Sequence, residues 1–257
     1  FRSVQLTAEG LLLNGRRRVL QGVLYQPHYI ALDGLYPPAE ELQAEVLQML
    51  ETGFNLVRAH VRPAPVAFLD ACDRYGLLVL EEPSIGWVDM SPELEGWLKH
   101  EVEWMVKRDH HHPSIVMWGL FNELSGKAHL LSEPVMGHLV ALDNTRPALV
   151  DSGGFFDSRY VPAGGQEFVM MLDEHVYPPC PIPFEERERL RTLSPAAGPL
   201  LISEYGYGAL MDTEGNFSEF ERRGVLGVER NTFMGMKERT LSAREAGDLW
   251  DEQAWLD

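Results

Sequence analysis

The sequence predicts an α/β protein, a (β/α)8 TIM-type barrel whose eighth strand is not evident. Three observations carry this. Short apolar runs alternate with stretches of helical period along the chain. Prolines open and glycines close several of the helical stretches. Residue types suited to chemistry follow directly on the apolar runs, at the strand ends where a barrel gathers its active site. The length of 257 residues suits one such barrel, which needs about 250.

Phe1 to Leu13 alternates loosely, and Asn14-Gly15 is a hairpin turn signal. Arg16 to Leu24 returns, so this is a lid or lead-in hairpin whose second arm feeds strand one near Val19 to Tyr25. Pro37-Pro38 opens a helix with Leu42, Val46, Met49 and Leu50 on one face, and Gly53 ends it. Phe54 to His60 is strand two. Pro65 starts a helix with Phe68, Leu69, Cys72 and Tyr75 inward, and Gly76 stops it. Leu77 to Leu80 is strand three. Ser91 caps a third helix with Pro92 at its first position, running through Leu98, Val102 and Met105 toward Asp109. Ile115 to Trp118, between Pro113 and Gly119, is the buried fourth strand. Pro134 to Asp143 is helical, with Met136, Leu139 and Val140 inward. Ala148 to Asp151 is strand five, followed by a Gly153-Gly154 loop. Phe168 to Tyr177 contains strand six, Phe184 to Leu193 is a charged helix, and Leu200 to Ser203 is strand seven. The remainder from Phe217 reads as helix and loop. Parallel strands joined by helices imply right-handed crossovers, and no Gly-x-Gly-x-x-Gly follows strand one, which disfavours a dinucleotide fold.

A formal charge of −17 argues against nucleic acid or an anionic membrane as partner. No apolar run reaches the about 18 residues of a membrane span. No signal peptide is visible ahead of Phe1, which favours a cytoplasmic location without deciding it. Cys72 and Cys180 do not demand an oxidising compartment, and Cys72 reads as a buried thiol. The run His110-His111-His112 lacks the spacing and the acidic ligand of a zinc site, so no metal is expected. No cofactor is expected, and homo-oligomerisation is left open.

Polar groups collect at the predicted strand ends: Arg58 and His60, Glu81 and Glu82, Asn122 and Glu123, His175 and Tyr177, and Glu204. On a barrel these share one rim. A pair of carboxylates across such a cleft suits glycoside hydrolysis, one donating a proton and the other attacking or stabilising the anomeric carbon. A separation of about 5 Å means a covalent intermediate and retention, and a wider gap means inversion. Trp87 is placed to stack on a sugar, Phe155 and Phe156 to line a subsite or close the barrel mouth, and Trp97 and Trp104 to pack.

The run Arg108-Asp109-His110-His111-His112-Pro113-Ser114-Ile115-Val116-Met117-Trp118-Gly119-Leu120-Phe121-Asn122-Glu123 resembles the acid/base signature of glycoside hydrolase family 2, the family of β-galactosidases, β-glucuronidases and β-mannosidases. Phe1-Arg2-Ser3 through Leu13-Asn14-Gly15 to Gly22-Val23 is similar to the start of that family's barrel. Gly53-Phe54-Asn55-Leu56-Val57-Arg58 and Asp70 to Gly76 are similar to its second βα unit, and Ser203-Glu204-Tyr205-Gly206 to its nucleophile strand. The resemblance implies that Glu123 is the acid/base and Glu204 the nucleophile. Asn122 would hold the substrate 2-hydroxyl, Tyr177 would bond the nucleophile, and Arg58 beneath it would keep it ionised, while relative burial favours the protonated form of Glu123. His60, His175, Glu82 and Trp87 complete the expected substrate-binding set. The resemblance implies one barrel domain over residues 1–257, with 1–18 as its lead-in strand and hairpin. The β-sandwich domains that usually precede it are expected to be absent.

The chain departs from the pattern in places. Leu24 stands where many members carry Asn, and Val61-Arg62 replaces a His-Tyr before Pro63, with His60 one residue early. If Arg58 points into the barrel so does His60, while Val61 points out. The aromatic of the family's eighth strand has no visible counterpart. The expected activity is that of a retaining exo-β-glycosidase acting on a glycoside or oligosaccharide, galactosidase-like or glucuronidase-like; Arg62 and Arg159 are candidate partners for a sugar carboxylate. The alternatives are a non-catalytic carbohydrate-binding barrel and an endo-acting polysaccharide hydrolase of a related family.

Overall fold

The computed structural model describes residues 2–7, 10–26, 36–86, 88, 90–124, 126–153, 159–160, 168–169, 172–177, 182–192, 199–205, 218 and 221–224. The chain divides into two compact units. One comprises Phe1–His175 with Ser194–Glu204, and the other Val176–Leu193 with Tyr205–Asp257.

The first unit begins with an antiparallel sheet of β1 (Val4–Thr7), β2 (Gly10–Leu13) and β3 (Arg16–Arg18). Asn14 and Gly15 turn the β2–β3 hairpin with φ of 52° and 72°, the two positive values of a tight hairpin turn. The hairpin is a floor and not a lid. Val4 and Leu11 join Leu56, Leu80, Val116, Met117 and Leu149 in one apolar cluster inside the sheet. Arg2 donates from its guanidinium to the carbonyls of Pro113 and Ile115, at the N-terminal start of the fourth barrel strand.

The main sheet is parallel and five-stranded, in sequence order: β4 (Gly22–Tyr25), β5 (Leu56–Ala59), β6 (Leu78–Glu81), β7 (Ile115–Asn122) and β8 (Ala148–Ser152). The return arm of the hairpin is thus two strands, β3 and β4. Helices α1 (Ala39–Glu51), α2 (Val66–Tyr75), α3 (Leu94–Asp109) and α4 (Ser132–Leu142) connect them. The punctuation expected from prolines and glycines holds for α1 and α2: Pro38 and Pro65 stand at their N-caps, and Gly76 closes α2 at φ 86°. Helix α3 starts later than expected. Ser91 only accepts the Leu94 N–H in a preceding turn, and Glu93 is the N-cap. Trp97 and Trp104 on α3 do not pack inward; they are 66% and 50% exposed, and Arg108 lies over the Trp104 ring.

Alternation along the strands divides the interior in two. Val57, Ala59, Val79, Ala148 and Val150 face the helices, with Phe68, Leu69, Val102 and Met105. Leu56, Leu80 and Leu149 face the other way, into the barrel. Past β8 come the short antiparallel pair β9 (Arg159–Tyr160) and β10 (Phe168–Val169), and then β11 (Leu172–Val176) beside β12 (Leu200–Tyr205). The sixth and seventh predicted barrel strands therefore pair with each other. Among the described residues no backbone ladder joins them to β8 or β4, so the barrel is open on both sides. A small cavity of about 60 Å³ lined by Gly22, Val23, Leu201 and Ile202 lies on the β4 side. In the second unit, α5 (Phe184–Thr192) has no buried residue. The region from Phe217, read as helix and loop, lies largely outside the described residues.

Candidate active site

Arg58 stands at the hub of the C-terminal rim. It ends the inward row of β5, and its side chain is 4% exposed. Its Nε donates to Glu82 Oε1 at 2.6 Å, its Nη2 to Asn122 Oδ1 at 2.8 Å, and its Nη1 to Ser203 Oγ at 3.0 Å and Glu204 Oε1 at 3.1 Å. One guanidinium thus ties β5 to the ends of β6, β7 and β12. His60 follows on the same side, as strand parity requires, with Nδ1 3.0 Å from Glu82 Oε2 and Nε2 3.7 Å from Glu204 Oε1. The chain then turns at Val61, a β-branched residue at φ 42°, whose N–H donates to Glu82 Oε2 at 3.0 Å.

Glu81 and Glu82 are adjacent and face opposite ways. Glu82 points into the cleft. Burial pushes its pKa up, but the His60 hydrogen bond and the Arg58 guanidinium outweigh that, and it is held below the ordinary carboxylate value. Glu81 points toward the helices, accepts the Ala64 N–H at 2.8 Å, and has no exposed side-chain surface. Burial, reinforced by Asp109, pushes its pKa well above the usual range against the Ala64 N–H and Arg108, and it stands outside the site. Gly119 on β7 makes room for Glu82: a Cβ there would lie 2.6 Å from Glu82 Cγ.

Glu123 follows β7 in the left-handed region, at φ 50°. Strand β8 holds that turn from both sides. The Glu123 N–H donates to Ser152 O at 2.8 Å, and the Leu124 N–H to Asp151 Oδ1 at 3.1 Å. Burial raises the Asp151 carboxyl to about 6 against the opposing Leu124 N–H and His175. Glu123 Oε1 lies 2.8 Å from His175 Nδ1, and His175 Nε2 lies 3.5 Å from Glu204 Oε1. One oxygen of Glu123 comes within 4.8 Å of one of Glu204. The expected burial of the acid/base is not met: the Glu123 side chain is 40% exposed and that of Glu204 15%.

Four residues of this cluster were not singled out from the sequence. Asp173 Oδ2 accepts from Ser203 Oγ at 2.6 Å, Ser152 Oγ at 2.8 Å and the Gly153 N–H at 2.9 Å; its Oδ1 accepts the Ser203 N–H at 2.9 Å. Asp151, Ser152 and Asp173 carry no local motif, although the spacing of Asp173 and His175 on one strand face is a signal that could have flagged Asp173. Ser203 stands in the Ser203-Glu204-Tyr205-Gly206 motif, but its hydroxyl was given no role.

The structure therefore brings together Arg58, His60, Glu82, Asn122, Glu123, His175 and Glu204. Tyr177 follows β11, belongs to the second unit and is 41% exposed. Trp87, Phe155 and Phe156 lie outside the described residues. Leu24 pairs with Arg58 across the β4–β5 ladder and is 40% exposed.

Two groups of ligand-type atoms converge among the described residues: Glu123, His175 and Glu204, and Asp70, Asp73 and His112. The second is at the opposite end of the sheet, where Asp73 takes His112 Nδ1 and the Ser114 N–H, each at 2.7 Å. Hydrogen bonding accounts for Asp73 and His112, and it places the histidine run in the scaffold.

The architecture defines the class, a parallel β/α barrel with an acidic cleft at its C-terminal rim. Residues 4–223 match the profile of glycosyl hydrolases family 2, TIM barrel domain, and the chain belongs to that family. Similar solved structures include a family 2 member from Bacteroides cellulosilyticus, 28% identical, covering 61% of this chain and 22% of that one, with a TM-score of 0.53. A family 2 β-galacturonidase from Eisenbergiella tayi bound to galacturonate is 23% identical, covers 82% and 40%, and has a TM-score of 0.66. A β-glucuronidase from Parabacteroides merdae is 20% identical, covers 80% and 27%, and has a TM-score of 0.65. The last two speak for the fold. The chain spans 22%, 40% and 27% of the length of these three.

Proposed function

We propose that the chain carries the catalytic barrel of a retaining exo-β-glycosidase, with water as the second substrate. The observation behind this reading is that one oxygen of Glu123 comes within 4.8 Å of one of Glu204 on one rim, which favours the short spacing of a retaining pair over the wider gap of an inverting one. Glu204, beside Arg58, attacks the anomeric carbon while Glu123 passes its proton to the leaving oxygen, and the glycosidic bond breaks. Water then bonds to the same carbon, gives a proton to Glu123, and releases Glu204. Asn122 Oδ1 is engaged by Arg58, which turns its amide N–H groups to donation and suits a sugar 2-hydroxyl. His60 and Glu82 anchor Arg58 and shape the cleft floor. The substrate is a β-galactoside-like or β-glucuronide-like glycoside.

The test is turnover of chromogenic β-galactosides, β-glucuronides, β-galacturonides and β-mannosides by the full chain, beside Glu123→Gln and Glu204→Gln. Loss of about 10²–10⁴-fold in each variant is expected, with the first-formed sugar retaining the β configuration by NMR. Turnover surviving either substitution, or an inverted product, overturns the reading. Sugar binding with no turnover by the wild type favours a carbohydrate-binding barrel.

A further inference from the structure

Glu123 needs a partner that steadies it both as acid and as base, and the described residues contain one with a mount of its own. His175 has a side chain 6% exposed, with Nδ1 2.8 Å from Glu123 Oε1. On its other edge, Nε2 lies 2.8 Å from Ser152 Oγ and 3.2 Å from Ser203 Oγ. Gly153 walls the ring: a Cβ there would lie 2.5 Å from Nδ1, so only a residue without one lets the imidazole take this place. The same strand end, β8, holds the Glu123 backbone through Ser152 O. Acid and imidazole are thus fixed to one piece of the scaffold.

We propose that His175 is the positioning residue of Glu123, donating Nδ1–H to Glu123 Oε1 through both halves of the reaction, and that Asp173, Ser152 and Ser203 hold it for that task. This rests on the glycosidase reading above. An ionised Glu123 only accepts, so the 2.8 Å contact calls for a hydrogen on Nδ1. Ser152 supplies the means without charging the ring. Its Oγ is 2.8 Å from Asp173 Oδ2 and 2.8 Å from Nε2, so one hydroxyl proton can turn from the first to the second. Nε2 then accepts and Nδ1 carries the ring hydrogen. Asp173 keeps the Ser203 hydroxyl and the Gly153 and Ser203 N–H groups when Ser152 turns away. With Oε1 committed to His175, Oε2 is the oxygen that gives and takes the proton. The Nδ1–H meets the charge that appears on Glu123 as the leaving group departs, with no side chain having to move.

The experiment compares kcat/KM on a phenyl and a 2,4-dinitrophenyl β-glycoside of the sugar the wild type accepts, since dinitrophenolate leaves without a proton. Glu123→Gln is expected to lose about 100-fold more on the phenyl substrate than on the dinitrophenyl one. His175→Leu is expected to show the same asymmetry at about 10- to 100-fold. His175→Asn, whose amide N–H takes the place of Nδ1–H, should return to within about 5-fold of wild type on the phenyl substrate. Equal losses of His175→Leu on both substrates, or Asn no better than Leu at matched Tm, overturns the proposal while leaving the acid/base assignment intact. Absence of the asymmetry in Glu123→Gln itself overturns the glycosidase reading and this inference with it. Should His175→Leu not fold, Ser152→Ala keeps the ring and removes the turning hydroxyl. It should lose about 5- to 10-fold more on the phenyl substrate, and an equal loss on both overturns the proposal.

Discussion

Two buried arginines organise opposite ends of the parallel sheet, and they are built differently. Arg58, at the C-terminal rim, gives its hydrogen bonds to four side chains: Glu82, Asn122, Ser203 and Glu204. Arg146, at the N-terminal rim, gives three of its four to main-chain carbonyls, those of His110, His112 and Ile115, and the fourth to Asp143. Asp143 in turn takes the Trp118 indole N–H at 2.9 Å and both donors of Thr145. An arginine bonded to carbonyls fixes where the chain runs. An arginine bonded to four side chains at the ends of three other strands fixes where charges stand. The first is scaffold, and it explains why the Arg-Asp-His-His-His-Pro-Ser loop has its shape. The second is a site.

The sharpest way to break this contrast is to remove each guanidinium. Arg58→Met should lower kcat/KM by about 10²–10³-fold through the loss of charge stabilisation beside Glu204. Arg146→Met should leave turnover per folded molecule near wild type and cost about 3–5 kcal/mol in denaturant unfolding, because Asp143 is left buried without its counter-ion and three carbonyls lose their donor. A large activity loss in the second would dissolve the distinction.

Protons sharpen it next. Asp143 and Asp151 stand at opposite ends and carry opposite signs. Burial raises Asp143, but the Thr145, Trp118 and Arg146 donors prevail and hold it at about 2. Its folded-state value is depressed, so its contribution of about 2 kcal/mol is present above the unfolded value near 4 and is lost as pH falls toward 2. Asp151 is raised to about 6, so the protein favours its protonated form. It therefore stabilises below the unfolded value near 4, and about 2–3 kcal/mol of that is lost as pH rises through about 6. Unfolding curves across pH should flatten on the acid side in Asp143→Asn. Asp151→Asn should be the more stable protein at pH 7 and gain nothing at pH 4. The reverse pattern would mean the two rims do not differ in this way.

The smallest expected effect is that of Gly153→Ala. A Cβ at φ 71° that also meets the His175 ring should cost about 1–2 kcal/mol of stability. It should lower kcat more than KM rises, since the acid/base mount shifts while the sugar contacts remain. A pure stability loss with unchanged kcat would separate Gly153 from the site.

Much of the scaffold was legible in the sequence because its signals are local. Pro38, Pro65 and Gly76 mark helix ends through their own backbone preferences. Glu123 and Glu204 were legible because each follows an apolar run in an ordered motif. Glu81 and Glu82 were harder to separate. Only strand parity, known once β6 has its register with β5, sends one to the helices and the other to the cleft. The roles of Asp151, Ser152, Asp173 and the Ser203 hydroxyl were not legible. Each is a common polar residue at a strand or strand end, and its role comes from neighbours 20 to 51 positions away. The gap between β8 and β11 belongs with these, since closure there depends on distant strands meeting, whereas the missing eighth strand was already apparent in the sequence.

Gly119 narrows how such a barrel can be re-engineered. With a Cβ there the carboxylate stem of Glu82 would be struck at 2.6 Å and Leu80 at 3.1 Å. Strand β7 can therefore accept no side chain at that point without dislodging the anion that holds Arg58. A randomised library at 119 spends its members on unfolded or mis-set cleft floors. New sugar preferences are better sought where side chains already meet solvent, such as Leu24.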